Sequence, residues 1–228
     1  MCIDARWSIL ASVVLVACST TPAVVENPVP GTGFSAGGGY LHITAVAPGY
    51  AGREPADRRW LIYLEGYIDT GATARLERVV DKEQVRNAVV YFNSPGGHVV
   101  EAMDLGRLLR TRRYSTSVGE RTPDGAAPRA GRCYSACPIA YSGGVPRSLE
   151  PGSVFGIHRA ENSVPVPDEP AFQQVVTGQV KDYLAEMGIS GELVTIMSKV
   201  PHDAIRELTI DEAVRLDLVN TGVPGRGD

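Results

Sequence analysis

Apolar positions along this chain follow two periods, and the change from one to the other marks out its elements. Trp60-Leu61-Ile62-Tyr63-Leu64 is a short continuous apolar run closed by Glu65-Gly66, which suits a buried strand. Ala72 to Val80 then carries Leu76, Val79 and Val80 at helical spacing. Asn87 to Phe92 is a second strand-like run, cut off by Asn93-Ser94-Pro95-Gly96-Gly97. A helical stripe follows at Val99, Val100, Met103, Leu105, Leu108 and Leu109. Strand, helix, strand, helix predicts βαβ units and a mainly parallel sheet with flanking helices, an α/β fold.

Further along, residues 119–132 are poor in apolar side chains and read as a loop. Cys133 to Tyr141 is small and apolar enough for a buried helix, and Ser153 to His158 for a short strand. A Pro-rich loop over 163–170 leads into a helix from about Ala171 to Met187. Glu192 to Lys199 and Ile210 to Leu216 are further helical segments, and no internal repeat is visible.

The beginning of the chain has a different character. Arg6 lies in a short polar start, Trp7 to Val16 is apolar, and small residues follow. This reads as a secretory signal over residues 1–17, too short for a spanning helix. Leu15-Val16-Ala17-Cys18 resembles the bacterial lipobox, which implies cleavage before Cys18 and a lipid on its thiol. Several acyl chains make a stable membrane anchor where one is marginal. Ser19, rather than Asp, resembles an outer-membrane address, so the periplasmic face of the outer membrane is expected over the inner. Residues 18–39, rich in Pro, Gly, Ser and Thr, read as a flexible tether. The folded domain is expected over 40–222, and 223–228 as a tail.

With 43% hydrophobic and 21% charged residues, the 228-residue chain can bury a core. A net charge of −4 offers no footprint for nucleic acid. Arg107, Arg110, Arg112 and Arg113 sit on a helical pattern and read as a solvated face. Once Cys2 leaves with the signal and Cys18 is lipidated, Cys133 and Cys137 remain. In an oxidising compartment they can pair, but a helix seldom gives i and i+4 disulfide geometry. A bridge therefore needs Cys133 ahead of the helix, and the pairing stays open. Two cysteines without a nearby histidine are too few for zinc.

Three segments carry chemistry. The Ser94-Pro95-Gly96-Gly97 turn joins a strand to a helix, where backbone N–H groups can hold an oxyanion. Gly131-Arg132-Cys133-Tyr134-Ser135-Ala136-Cys137 presents a serine among small residues, with the Ala136 N–H as a second donor. By itself that serine would be read as a helix cap. Val154-Phe155-Gly156-Ile157-His158 ends an apolar strand on a histidine, far enough on for a helix, a turn and a returning strand to bring it back to Ser135.

In this order the segments resemble the ClpP/crotonase clan, which includes ClpP and the signal peptide peptidase SppA. Ser94 to Gly97 matches that clan's oxyanion turn, Ser135 its nucleophile, and Gly156-Ile157-His158 the strand that carries its histidine. Leu208 to Val219 resembles its closing helix, so the likeness runs from about Trp60 to Asn220. It is similar, more narrowly, to periplasmic ClpP-like proteins with a Cys-x-Ser-x-Cys segment. The resemblance implies a fold of repeated ββα units and a serine hydrolase, with Ser135 as nucleophile and His158 as base. Gly96, Gly97 and Ala136 would form the oxyanion hole. It also implies peptide or unfolded protein substrates, no cofactor, and a homo-oligomer.

Two departures stand out. The clan's third catalytic residue, an Asp, falls at Ile205, and the nearest acid is Asp203, equally readable as a helix cap. Without an acid, a backbone carbonyl can orient the imidazole. Cys137 replaces the clan's glycine. A Ser–Lys pair of the SppA kind would rest on Lys181, otherwise a solvated helix residue. The absence of a phosphate loop points to an ATP-independent peptidase. Two rivals remain: a catalytically degenerate fold serving as a binding or assembly protein of the cell envelope, and, more weakly, an acyl-CoA enzyme of the crotonase type.

Overall fold

The computed structural model describes residues 24–26, 39–49, 58–123, 127–161 and 167–222. The expected signal, Cys18, most of the tether and the tail lie outside them.

The first half builds a five-stranded sheet in the order β1 (Val24–Glu26), β2 (Leu41–Val46), β3 (Trp60–Gly66), β4 (Ala88–Asn93) and β5 (Ser115–Val118). The β3–β4 and β4–β5 pairs are parallel, while β2 joins β3 antiparallel. The parallel pairs are crossed by α1 (Ala72–Lys82) and α2 (Val99–Arg112). Strand β4 is apolar almost throughout because both sheet faces are covered. Ile62, Leu64, Val90 and Phe92 face the main core, while Leu61, Tyr63, Val89 and Tyr91 form a second cluster behind. Helix α1 buries Ala72, Leu76 and Val80, one stripe at four-residue spacing.

After a small hairpin of β6 (Glu120–Arg121) and β7 (Pro128–Arg129), a second sheet begins. Its order is β10 (Arg206–Leu208), β9 (Val154–Ile157), β8 (Arg132–Tyr134). Here β8 and β9 are parallel and β10 runs antiparallel to β9. Helix α3 (Cys137–Tyr141) follows β8, then come α4 (Glu169–Glu186), α5 (Glu192–Met197) and α6 (Ile210–Arg215). The sheets meet end to end: Ser94 N–H donates to the Arg132 carbonyl at 2.8 Å, and Tyr134 N–H to the Ser94 carbonyl at 2.9 Å.

The expected α/β architecture, with parallel central strands and flanking helices, is the one observed. Locally, two readings change. The segment from Cys133 is not helical from its start: Cys133 and Tyr134 lie on β8, and the helix opens only at Cys137. Nor are the four arginines one solvated face. Arg107 pairs with Glu186 and Arg112 with Asp81, but Arg110 is half-buried and donates to the carbonyls of Ser142, Gly143, Gly144 and Met187. A guanidinium has enough donors to close several loop carbonyls at once, which makes Arg110 a tie between α2 and the loops after α3 and α4.

Candidate active site

The C-terminal ends of β4, β8 and β9 converge, the edge at which open α/β sheets hold their ligands. Tyr134 is in register with Gly156, and Ser135 N–H donates to the Gly156 carbonyl at 2.9 Å. The serine and the end of the histidine strand therefore leave the sheet side by side. His158 Nε2 lies 2.6 Å from Ser135 Oγ.

Ser135 has φ +60°, a left-handed conformation that disfavours any side chain with a Cβ. Gln84, Arg113 and Asp217 share it among the described residues, but each closes a helix at its C-terminal end. Only Ser135 adopts it between a strand and a helix, where it turns the hydroxyl outward from the junction. Cys133 and Cys137 are joined by a disulfide with Cα atoms 5.1 Å apart, and Ser135 is the middle residue of the loop it closes. This geometry is open to the pair because Cys133 sits on β8, ahead of the helix.

Gly96 lies directly against this junction. A Cβ there would fall 2.5 Å from Ser135 Cβ and 2.7 Å from the Tyr134 carbonyl oxygen, and its φ is +104°. Its N–H is not an oxyanion donor, however. It donates to Ser94 Oγ at 3.1 Å, because a serine two residues upstream closes the turn upon itself. That corrects the expectation for Gly96, whose part is to admit the serine backbone. The N–H groups of Gly97 and Ala136 make no hydrogen bond among the described residues. Ser94, fully buried, was not singled out in the sequence; a turn rich in glycine draws attention away from the side chain that shapes it.

Burial lowers the pKa of His158 below the ordinary histidine range, and a protonated His202 would add to that; the main chain of His202 and the Glu161 carboxylate act the other way. The ring is thus held neutral, with Nε2 free to accept from the serine. Its other nitrogen, Nδ1, is buried and has no hydrogen-bond partner among the described residues. Among the described residues, no carboxylate fills the third position. Asp203, expected as the third member, is exposed and makes no hydrogen bond or ion pair among the described residues. The register gives the reason: Arg206 pairs with Ile157, which puts Ile205 opposite His158 with its side chain against Gly156, and Asp203 falls beyond the end of the strand pair. Lys181 is exposed on α4 and makes no hydrogen bond to Ser135.

A cleft of about 740 Å³ opens beside the histidine, between Arg159–Glu161, α4 and α5. Val176, Val180, Val194 and Met197 supply its apolar wall, and Glu161 and His202 stand in its lining. A second cleft of about 440 Å³, lined by Tyr67, Gly97 and Phe172, shares Glu161 and Val176 with it. No group of three or more metal-ligating side chains occurs among the described residues.

No protein-family model matches the chain, and no curated protein matches its sequence. Solved structures do. A mutant of ClpP1 from Listeria monocytogenes superposes with a TM-score of 0.53 at 15% identity, over 70% of this chain and 88% of that one. A mutant of 1510-N, a membrane-bound stomatin-specific protease, gives 0.49 at 14% identity, over 69% and 75%. The fold is ClpP-like.

Proposed function

We propose that the chain is a lipid-anchored, extracytoplasmic serine hydrolase, an ATP-independent peptidase that works on small or already unfolded substrates. The observation that carries this reading is the 2.6 Å approach of Ser135 Oγ to a neutral His158 Nε2. Beside it stand the unpaired N–H groups of Gly97 and Ala136. In the acylation step Oγ bonds to the substrate carbonyl carbon and its proton passes to Nε2. The carbonyl electron pair moves onto oxygen, held by those two N–H groups. Collapse breaks the C–N bond, and the leaving amine takes the proton from His158. Water then repeats the sequence on the acyl-serine, releasing the acid and restoring Ser135.

The apolar wall of the larger cleft suits a hydrophobic substrate side chain next to the scissile bond. Anchoring through Cys18, on the periplasmic face of the outer membrane, and assembly into a homo-oligomer belong to the same proposal. A fluorophosphonate probe tests the chemistry. We expect labelling of the wild-type chain and none in Ser135→Ala or His158→Ala; a folded wild type that stays unlabelled would refute the hydrolase. The missing carboxylate at Nδ1 favours a second reading, a ClpP-like fold that binds or assembles envelope partners without catalysis. Unlabelled protein would support it.

A further inference from the structure

Resting on the hydrolase reading, we infer that a main-chain carbonyl, that of His202, orients His158, and that the Glu161–His202 side-chain pair latches it in place. The path of the backbone leads to this. Arg159 N–H donates to the Val200 carbonyl at 3.0 Å, and Arg206 pairs with Ile157. The chain is thus anchored to the histidine strand on both sides of His158, and residues 201–205 must loop over the ring. Two carbonyls of this stretch are already engaged, Val200 with Arg159 and Pro201 with Ala204 N–H at 3.1 Å. The carbonyl of His202 lies beside the imidazole and favours its protonated form. Nδ1 is buried and has no hydrogen-bond partner among the described residues, so the His202 carbonyl acts on the ring without closing a full hydrogen bond to it. Such bonds are often long in the free enzyme and tighten when the reacting group is bound.

His202 Nε2 lies 3.1 Å from Glu161 Oε1, joining the loop over the ring to the segment that follows His158. Both side chains are partly exposed, at 38% and 52%, so the pair contributes little to folding, and its removal leaves the fold intact. What it fixes is the angle at which the His202 carbonyl meets Nδ1. Glu161 and His202 are therefore positioning residues, and His202 acts through its main chain. They also line the larger cleft, so a substrate side chain seated there would press on the same latch. Among the described residues, His202 and Glu161 act on the ring, and the adjoining cleft adds Arg159, the next residue along the chain, and Glu169 of α4.

The test uses the full chain and a small fluorophosphonate that does not fill the cleft. Glu161→Ala and His202→Ala should each slow inactivation on the order of tenfold, less than the hundredfold that an ångström-scale misplacement of a reacting group can cost. The double variant should be no slower than either single one. Glu161→Gln, which keeps an acceptor for His202, should restore the rate. In the Ser135 adduct, where His158 is protonated, the Nδ1–H proton should resonate far downfield and move upfield in Glu161→Ala. Rates within about twofold of wild type in both alanine variants, with that resonance unmoved, would overturn the inference. So would an equal loss in Asp203→Asn, which would return the role to a carboxylate. A wild type that forms no adduct fails earlier, at the hydrolase reading itself.

Discussion

At the scale of single residues, the site rests on two side chains and on main-chain groups that no side-chain pattern announces. Ser135 and His158 were legible because each ends a distinct apolar segment and the order of those segments carries information. The free N–H groups of Gly97 and Ala136, proposed here as oxyanion donors, were legible only as members of a turn and a junction. The diversion of the Gly96 N–H to Ser94, and the exposure of Asp203, depend on backbone angles and strand register. Residue type says nothing about either. The electrostatics of His158 give a pH dependence. Burial lowers its pKa, so the neutral base persists to lower pH than in a solvated histidine. Activity should rise with pH through a midpoint below about 6.5, the ordinary histidine value. A kcat/KM profile on any hydrolysed substrate checks the sign, and a midpoint above that value would contradict it.

At the scale of elements, the long periodic helices and the apolar strands were readable, whereas β2, β5 and β10 were not. β5 reads Ser-Thr-Ser-Val and β10 Arg-Glu-Leu; such short polar strands are set by pairing with a neighbour and have no pattern of their own. Element ends are also joined by distant groups. The first turn of α1 has no side-chain cap from its own Gly71, and the Glu101 carboxylate of α2 accepts from Gly71 N–H at 2.9 Å and Thr73 N–H at 2.7 Å. Burial alone would raise the pKa of Glu101, but these N–H donors outweigh it and the net shift is downward. Its stabilising effect is therefore full above the ordinary carboxylate range and is lost as pH falls through the lowered value. Glu101→Ala should cost about 1 kcal/mol, as loss of a helix cap does, with the difference from wild type shrinking in acid. Urea titrations at neutral and acid pH measure it. The disulfide acts on a smaller element. With Cys133 and Cys137 both changed to Ala, the ClpP-like fold should survive, because the loop the bridge closes is short and the two cysteines are a small part of a large core. Labelling of Ser135 should slow, since the turn loses its tie; unchanged labelling would deny the bridge any part in the site.

For the whole molecule, the fold class was recoverable because alternating strand and helix patterns leave few topologies open. The way its two sheets abut, through Ser94 and Cys133, was not. One internal tie shows how far the closing segment depends on a single buried cation. Arg147, 5% exposed, donates to the carbonyls of Gly144, Asp217 and Leu218. Arg147→Leu should destabilise by about 3 kcal/mol, since the Asp217 and Leu218 carbonyls lose their donor and that of Gly144 keeps only Arg110, and thermal unfolding would register it.

The left-handed turn at Ser135 has a consequence for stability as well as for chemistry. Glycine in place of alanine ordinarily weakens a protein; here the order should reverse. Ser135→Gly should exceed Ser135→Ala in stability by about 1 kcal/mol, because only glycine occupies that backbone conformation without steric cost. Thermal unfolding of the two variants decides it. A position whose backbone would favour glycine is held by serine, so the hydroxyl is kept against the interest of the fold. Selection for stability alone would have removed it.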